Sequence, residues 1–182
     1  VGVNAGGALT TGVQNVAVGQ AALLSATGGS YNVALGDNAL TLNTASNNTA
    51  VGYASLTANT TGTNNTALGA QALDANTTAN NNTAIGKVAL GGNTTGASNT
   101  ALGSGALFAN TTASNNTAVG TNSLTANTTG TENTATGNGS LQASTTASYN
   151  TAVGSGALGD TTTGASNTAV GRSAVNKNTT GT

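Results

Sequence analysis

The stretch Asn116-Thr117-Ala118-Val119-Gly120 is one copy of a five-residue phrase, N-T-A-[VLI]-G, that recurs along the whole chain. The glycines of the phrase, which are 17 residues apart except for one 16-residue step, are Gly19, Gly36, Gly52, Gly69, Gly86, Gly103, Gly120, Gly137, Gly154 and Gly171. A fixed period of this kind is typical of proteins in which one structural unit is stacked many times. The sequence therefore predicts a repeat array.

The array fills residues 1–182 as a single domain, with divergent repeats in residues 1–47 and regular repeats in residues 48–182. In the divergent part, Val16 and Val33 replace the usual threonine, and the shortened unit lies at residues 32–47. The chain begins and ends inside the repeated unit. We therefore expect it to be a fragment of a longer fibre.

The composition argues against several classes of function. Only 4% of the 182 residues are charged and 2% are aromatic, and the chain has no Pro, Cys, Met, Trp or His. With three cationic side chains and a net charge of −1, the chain offers little attraction to nucleic acid or to an anionic membrane. No apolar run is long enough to span a bilayer. We expect neither a nucleic-acid partner nor membrane insertion.

The length and composition of the repeat predict an all-β fold. Seventeen residues cannot hold two packed helices, and Thr, Asn and Gly are poor helix formers. Residues 117–119 fit a short strand, residues around Ser123-Leu124 fit a second one, and residues 127–130 have the composition of a turn. We expect a parallel β-solenoid, or β-roll, of about ten 17-residue coils. At ~4.8 Å per coil, such a rod is roughly 48 Å long.

The faces of the coil follow from strand alternation, counting the leading asparagine as position 1. Ala118 (position 3) and Val119 (position 4) must point to opposite sides. We expect the larger aliphatic residues at positions 4 and 9, such as Val119 and Leu124, to fill the interior. The alanine row is then an interface with an identical chain or, alternatively, fits a narrow interior or a flat solvent-facing side. Thr136, the one polar residue at position 4, marks the weakest coil in this interpretation, so Thr136→Val should stabilise the rod.

The remaining constant and variable positions have separate roles. The leading asparagine recurs from Asn15 to Asn167, and stacked side-chain amides of this kind can form hydrogen-bonded ladders. Charged and aromatic residues occupy only variable positions, which we expect on the outside of the coil. The charged residues are Asp37, Asp74, Lys87, Glu132, Asp160, Arg172 and Lys177, and the aromatic residues are Tyr31, Tyr53, Phe108 and Tyr149.

Catalytic residue types are scarce. Without His or Cys, and with four carboxylates far apart in sequence, the chain has no predicted catalytic, cofactor-binding or metal-binding residues and requires no cofactor. We expect that it is not an enzyme. Sequons such as Asn59-Thr60-Thr61 and Asn110-Thr111-Thr112 are possible glycosylation sites, although they arise easily in a chain rich in Asn and Thr.

The longer phrase N-T-A-[VLI]-G-x-x-[AS]-L resembles the YadA-like head repeats of trimeric autotransporter adhesins and the similar repeats of bacteriophage tail-fibre proteins. The resemblance covers the whole chain, although the heads of that family repeat at a shorter period. It implies a left-handed parallel β-roll, a side-by-side homotrimer and a passive extracellular role in attachment, on a cell surface, in a secreted filament or in a virion fibre.

Two functional hypotheses follow. The first is a non-enzymatic structural fibre segment, the shaft or head of an adhesin, tail fibre or surface filament. Such a segment would self-associate as a homotrimer or end to end, with a possible host-surface or glycan receptor. The alternative is an ice- or polysaccharide-binding solenoid, in which threonine pairs such as Thr60-Thr61 and Thr77-Thr78 form hydroxyl ladders at ~4.8 Å spacing.

Overall fold

The computed structural model describes residues 1–182 and contains ten strands of three residues each. They are β1 (Val16–Val18), β2 (Val33–Leu35), β3 (Thr49–Val51), β4 (Thr66–Leu68), β5 (Thr83–Ile85), β6 (Thr100–Leu102), β7 (Thr117–Val119), β8 (Thr134–Thr136), β9 (Thr151–Val153) and β10 (Thr168–Val170). All ten pair in chain order in one parallel sheet, and the chain has no helix. The prediction of a parallel β-solenoid is confirmed.

The register of the sheet is the register of the repeat. Ala118 pairs with Ala135 in the next coil, and Ala34 pairs with Ala50 across the 16-residue unit, so the missing residue is absorbed outside the strands. Of 118 backbone–backbone hydrogen bonds, 100 lie outside the strands. Many of these join equivalent turns in adjacent coils, as when the Leu124 N–H donates to the Ser140 carbonyl at 2.9 Å. The coils are therefore bonded to one another through their turns as well as through their strands.

The predicted second strand around Ser123-Leu124 is wrong, because this segment is a turn. Asn122 and Leu124 have φ angles of 53° and 51°, in the left-handed region, and a chain with such angles at every other residue cannot be extended. A left-handed leucine costs about 1–2 kcal/mol, but full burial of its side chain contributes about 1.5–3 kcal/mol. Burial of the leucine therefore offsets the strained backbone.

The interior contains the predicted leucine core at position 9, but the prediction that the position 4 residues also fill it is wrong. The position 9 leucines from Leu23 to Leu158 are fully buried, as predicted. Ala118 is fully buried too, whereas Val119 is only half-buried and points outwards. The prediction that the alanine row is an interface with an identical chain is wrong, and the alternative, that alanine fits a narrow interior, is confirmed. Ser123 and Leu124 are likewise both buried rather than on opposite faces, because the left-handed leucine turns the chain between them.

Thr136 consequently does not mark a weak core. Thr136 is the last residue of β8, and its half-buried side chain points outwards, whereas the side chain of its neighbour Ala135 lies inside. A Thr136→Val change adds no apolar volume to the interior, so the predicted stabilisation of the rod has no structural basis. The change instead alters the outer side of the sheet, where it would affect a partner that packs against the strands.

The charged and aromatic residues lie outside the coil, as predicted. All four aromatic side chains are exposed, and so are six of the seven charged residues, with Asp74 half-buried. The core is built instead from leucine, alanine and serine, together with two asparagines in most coils.

Candidate interaction surface

The outer side of the sheet is a continuous surface, which we call the strand face. It consists of the side chains at positions 2 and 4 of the ten strands, which share one side because they are two residues apart. Position 2 is threonine in β3 to β10, and position 4 is aliphatic in every strand except β8. Between the two end strands, leucines at position 4 protrude furthest, with Leu35, Leu68 and Leu102 exposed by 41%, 45% and 44%. A neutral row with an apolar edge therefore runs the length of the rod.

The charged residues are sorted away from the strand face. Six of the seven occupy positions 6, 10 and 11, on the segment that follows the glycine corner, and the seventh is Glu132 at position 17. No charged residue occurs at position 2 or 4. Because depletion of charge distinguishes the core of a protein interface from other protein surface, the strand face is the best candidate for a contact surface.

Position 4 also carries a rhythm of two coils, in which leucine alternates with a β-branched residue. From β1 to β7 the row reads Val18, Leu35, Val51, Leu68, Ile85, Leu102 and Val119. The leucines are exposed, and the β-branched residues between them from Val51 to Val119 are half-buried. The apolar edge is thus ridged, with a protruding leucine about every 9.6 Å.

In the threonine pairs of the turn, the hydroxyl of the first residue is bonded to the next coil, which leaves the second hydroxyl of each pair for the surface. The Thr60 hydroxyl donates to the Thr77 carbonyl at 3.0 Å, and the Thr128 hydroxyl donates to the Thr145 carbonyl at 3.0 Å. The second threonine of each pair is exposed, which gives the row Thr61, Thr78, Thr95, Thr112, Thr129, Thr146, Thr163 and Thr180. The pairs therefore form a single hydroxyl row and not a two-row array.

The leading asparagine forms a buried ladder that joins side chains to the backbone. Asn116 is fully buried, and its Oδ1 accepts the backbone N–H of Asn133 in the next coil at 3.0 Å. Its Nδ2 donates to the Gly130 carbonyl of its own coil at 2.8 Å. The expected ladder is present, but its main links run from side chain to backbone. Each asparagine closes its own coil and also holds the next one.

A second buried ladder, at position 12, was missed by sequence reasoning. The Nδ2 of Asn127 donates to the Oδ1 of Asn110 at 3.0 Å and also to the Gly130 carbonyl at 2.9 Å. Links of the same kind join Asn43, Asn59, Asn76, Asn93 and Asn110. Turn composition alone predicts an exposed asparagine here. The available signal was its recurrence at one position in consecutive coils.

This second ladder ends abruptly at coil eight. The next residues at position 12 are Ser144 and Thr161. Their side chains are too short to hydrogen-bond to the position 12 side chain of the preceding coil. Three buried polar atoms lack a partner as a result: Asn127 Oδ1, Ser144 Oγ and Thr161 Oγ1. A buried polar atom without a hydrogen bond costs about 1–3 kcal/mol, so the local weakness of the rod lies in these coils.

The buried ladder also determines which sequons are accessible. Asn59 and Asn110 are fully buried, and their amide nitrogens donate to carbonyls of their own coils at 2.9 and 3.0 Å. A glycan on either nitrogen would require the coil to open. These sequons are inaccessible in the folded rod.

The remaining features of the rod concern cavities, metal ligands and one acidic side chain. The rod has no cavity and no group of three side chains suited to a metal ion. Burial raises the pKa of Asp74, while hydrogen bonds from its own backbone N–H and that of Ala75 partly oppose the shift. No second acid lies near it in sequence. None of its elements is a helix of the length and apolarity needed to cross a bilayer.

These features describe a rod with one charge-free, apolar-edged face, charged residues elsewhere on its surface and an interior hydrogen-bonded through two amide ladders. Comparison of the chain with protein-family models, curated proteins and solved structures gave no match.

Proposed function

We propose that this chain is a non-enzymatic structural segment of an extracellular fibre, the shaft or head of an adhesin, tail fibre or surface filament. The observation that carries the proposal is the in-register ladder of ten strands, unbroken from β1 to β10. A rod in which every coil is hydrogen-bonded to the next gives a fibre its length and resists bending. Its resemblance to the head repeats of trimeric adhesins points to the same role.

The proposed fibre assembles side by side through the strand face. A face roughly 48 Å long and ~10 Å wide covers about 500 Å², so two opposed faces bury about 1,000 Å². That area is near the lower limit for a specific interface. The matching occupant is a second copy of the same rod, because it has the same length, the same lack of charge and the same ridge spacing. Three copies around one axis, each turning its strand face inwards, form a closed homotrimer.

Charge placed on the strand face is expected to separate the copies. The double variant Leu68→Lys/Leu102→Lys should be monomeric by light scattering at a concentration at which the unaltered chain is trimeric. Burial of two ammonium groups per chain in an apolar interface has a high desolvation cost. The rod itself should keep its far-UV spectrum, because both leucines point outwards.

The matched control places the same charges on exposed positions outside the strand face. Leu42 and Phe108 are exposed by 46% and 48%, at positions 11 and 10, so Leu42→Lys/Phe108→Lys removes apolar surface of similar exposure. The control should remain trimeric. A monomer mass for the unaltered chain at high concentration refutes the assembly, and an equal effect of both double variants refutes the choice of face.

A second candidate function is adsorption to ice or to a neutral polysaccharide. The exposed row from Thr61 to Thr180 favours it, because eight stiff β-branched side chains repeat there at ~4.8 Å spacing. If this row binds ice, the rod at millimolar concentration should show thermal hysteresis, and Thr95→Lys/Thr112→Lys should abolish it. Absence of hysteresis removes the ice function.

A further inference from the structure

We propose that Thr136 aligns neighbouring copies of the rod, because its hydroxyl meets the Thr136 hydroxyl of the adjacent copy when the strand faces pack in register. The inference deepens the proposed function and rests on self-association through the strand face. It makes Thr136 a residue that determines which alignment is chosen, rather than one that drives association.

The aliphatic row by itself leaves the alignment ambiguous. From β1 to β7 its alternation of leucine and β-branched residues repeats every two coils, so within these coils a copy shifted by two coils presents the same ridges. Over the coils that remain in contact, such a shift preserves the apolar packing. A feature that occurs once along the row is needed to distinguish these alignments.

Thr136 is that feature. It is the only polar residue at position 4 from β1 to β10, and the residues paired with it in the adjacent strands are Val119 and Val153. Its side chain lies half-buried on the outward face, next to these two apolar neighbours. The position 4 row of one rod therefore offers Thr136 no polar side chain in the adjacent coils.

The alignment follows from the hydrogen-bonding need of the hydroxyl. When a second rod covers the strand face, the hydroxyl loses solvent and must bond within the interface. In register, Thr136 of each copy lies at the level of Thr136 in its neighbour, and each hydroxyl can both donate and accept. In an alignment shifted by two coils, the position 4 residue at its level is aliphatic, either Leu102 or Val170. A single buried polar residue sets register in coiled coils by the same physics.

The experiment mixes chains in which the polar residue has been moved. Unaltered chains carry a donor dye, and a variant with Thr136→Val and Val119→Thr carries an acceptor dye. The dyes are attached to a Ser104→Cys substitution on the exposed, charged side. Each chain should associate with itself, while the apparent association of unlike chains, followed by energy transfer, should be weaker by about tenfold. The single variant Thr136→Val should mix with both.

Two further measurements determine the meaning of each outcome. Light scattering and thermal unfolding establish that both chains assemble and fold, and we expect unchanged melting temperatures because positions 119 and 136 point outwards. Oxidation of Leu102→Cys chains should give symmetric disulfide dimers, whereas a mixture of Leu102→Cys and Leu68→Cys chains should give no mixed dimer. Free mixing of assembled unlike chains, or mixed disulfides, refutes the alignment alone. A monomer under all conditions refutes the self-association as well.

Discussion

Gly120→Ala is expected to destabilise the rod by ~2–6 kcal/mol, a large part of the stability of a domain this size. Gly120 has a φ of +131°, a conformation that side chains with a Cβ rarely adopt. An added Cβ would lie 2.6 Å from both the carbonyl carbon and the carbonyl oxygen of Gly137 in the next coil. These are backbone atoms held in the hydrogen-bonded stack, so they cannot move aside without breaking it. Urea denaturation followed by far-UV circular dichroism measures the loss.

Gly171 provides a control that separates the two causes. Its φ of +125° is close to that of Gly120, yet the nearest contact of an added Cβ is the Ala174 Cβ at 3.8 Å. Gly171→Ala therefore reports the unusual backbone angle alone, which costs ~1–3 kcal/mol. If the two variants lose equal stability, close stacking of the glycine corners does not limit the residue at position 5.

Asn116→Ala is expected to cost ~3–5 kcal/mol, in spite of the small change in volume. The Asn116 side chain accepts from the backbone N–H of Asn133 and from its Nδ2, at 3.0 and 3.1 Å. It also donates to the Gly130 carbonyl. Alanine leaves the buried N–H of Asn133 without an acceptor and opens a small void. Thermal unfolding and amide hydrogen exchange of Asn133 measure the effect, and we expect faster exchange at that amide.

Asn138→Ala is the matched control, because Asn138 is exposed and its amide makes one 3.3 Å hydrogen bond to the Thr121 carbonyl. It should change the stability by less than about 0.5 kcal/mol. A stable Asn116→Ala rod would mean that the backbone ladder alone holds the coils together.

The opposite kind of change, Ser144→Asn, extends the second ladder and gives Asn127 Oδ1 a donor, so it should increase the free energy of unfolding by ~1 kcal/mol.

Both predictions concern the unusual interior of this rod. A coil contributes one leucine and small residues to the core, so apolar burial per residue is low. Backbone contact at the glycine corners and bonded asparagines in the centre supply cohesion in place of aromatic packing. Polar groups buried in this way stabilise only when all of their partners are present.

The amino-acid sequence by itself determined the period, the position of one of the two predicted strands in each coil, the parallel register, the leucine core and the outward placement of charge. Repetition made this possible, because ten copies of one environment reveal which residue types each position accepts. Tertiary structure decided which of two adjacent strand residues lies inside. Strand alternation states only that Ala118 and Val119 point to opposite sides.

The glycine corner and the left-handed leucine then turn the chain so tightly that alanine, and not valine, fits the interior. The same geometry places Asn127, which the sequence predicts in an exposed turn, inside the coil as part of the second ladder. Such rotations of the backbone leave little trace in hydrophobic patterning, since they depend on how one coil rests on the next. The outward valines and leucines, which looked like core residues in the sequence, therefore form the surface by which we propose that the rods assemble.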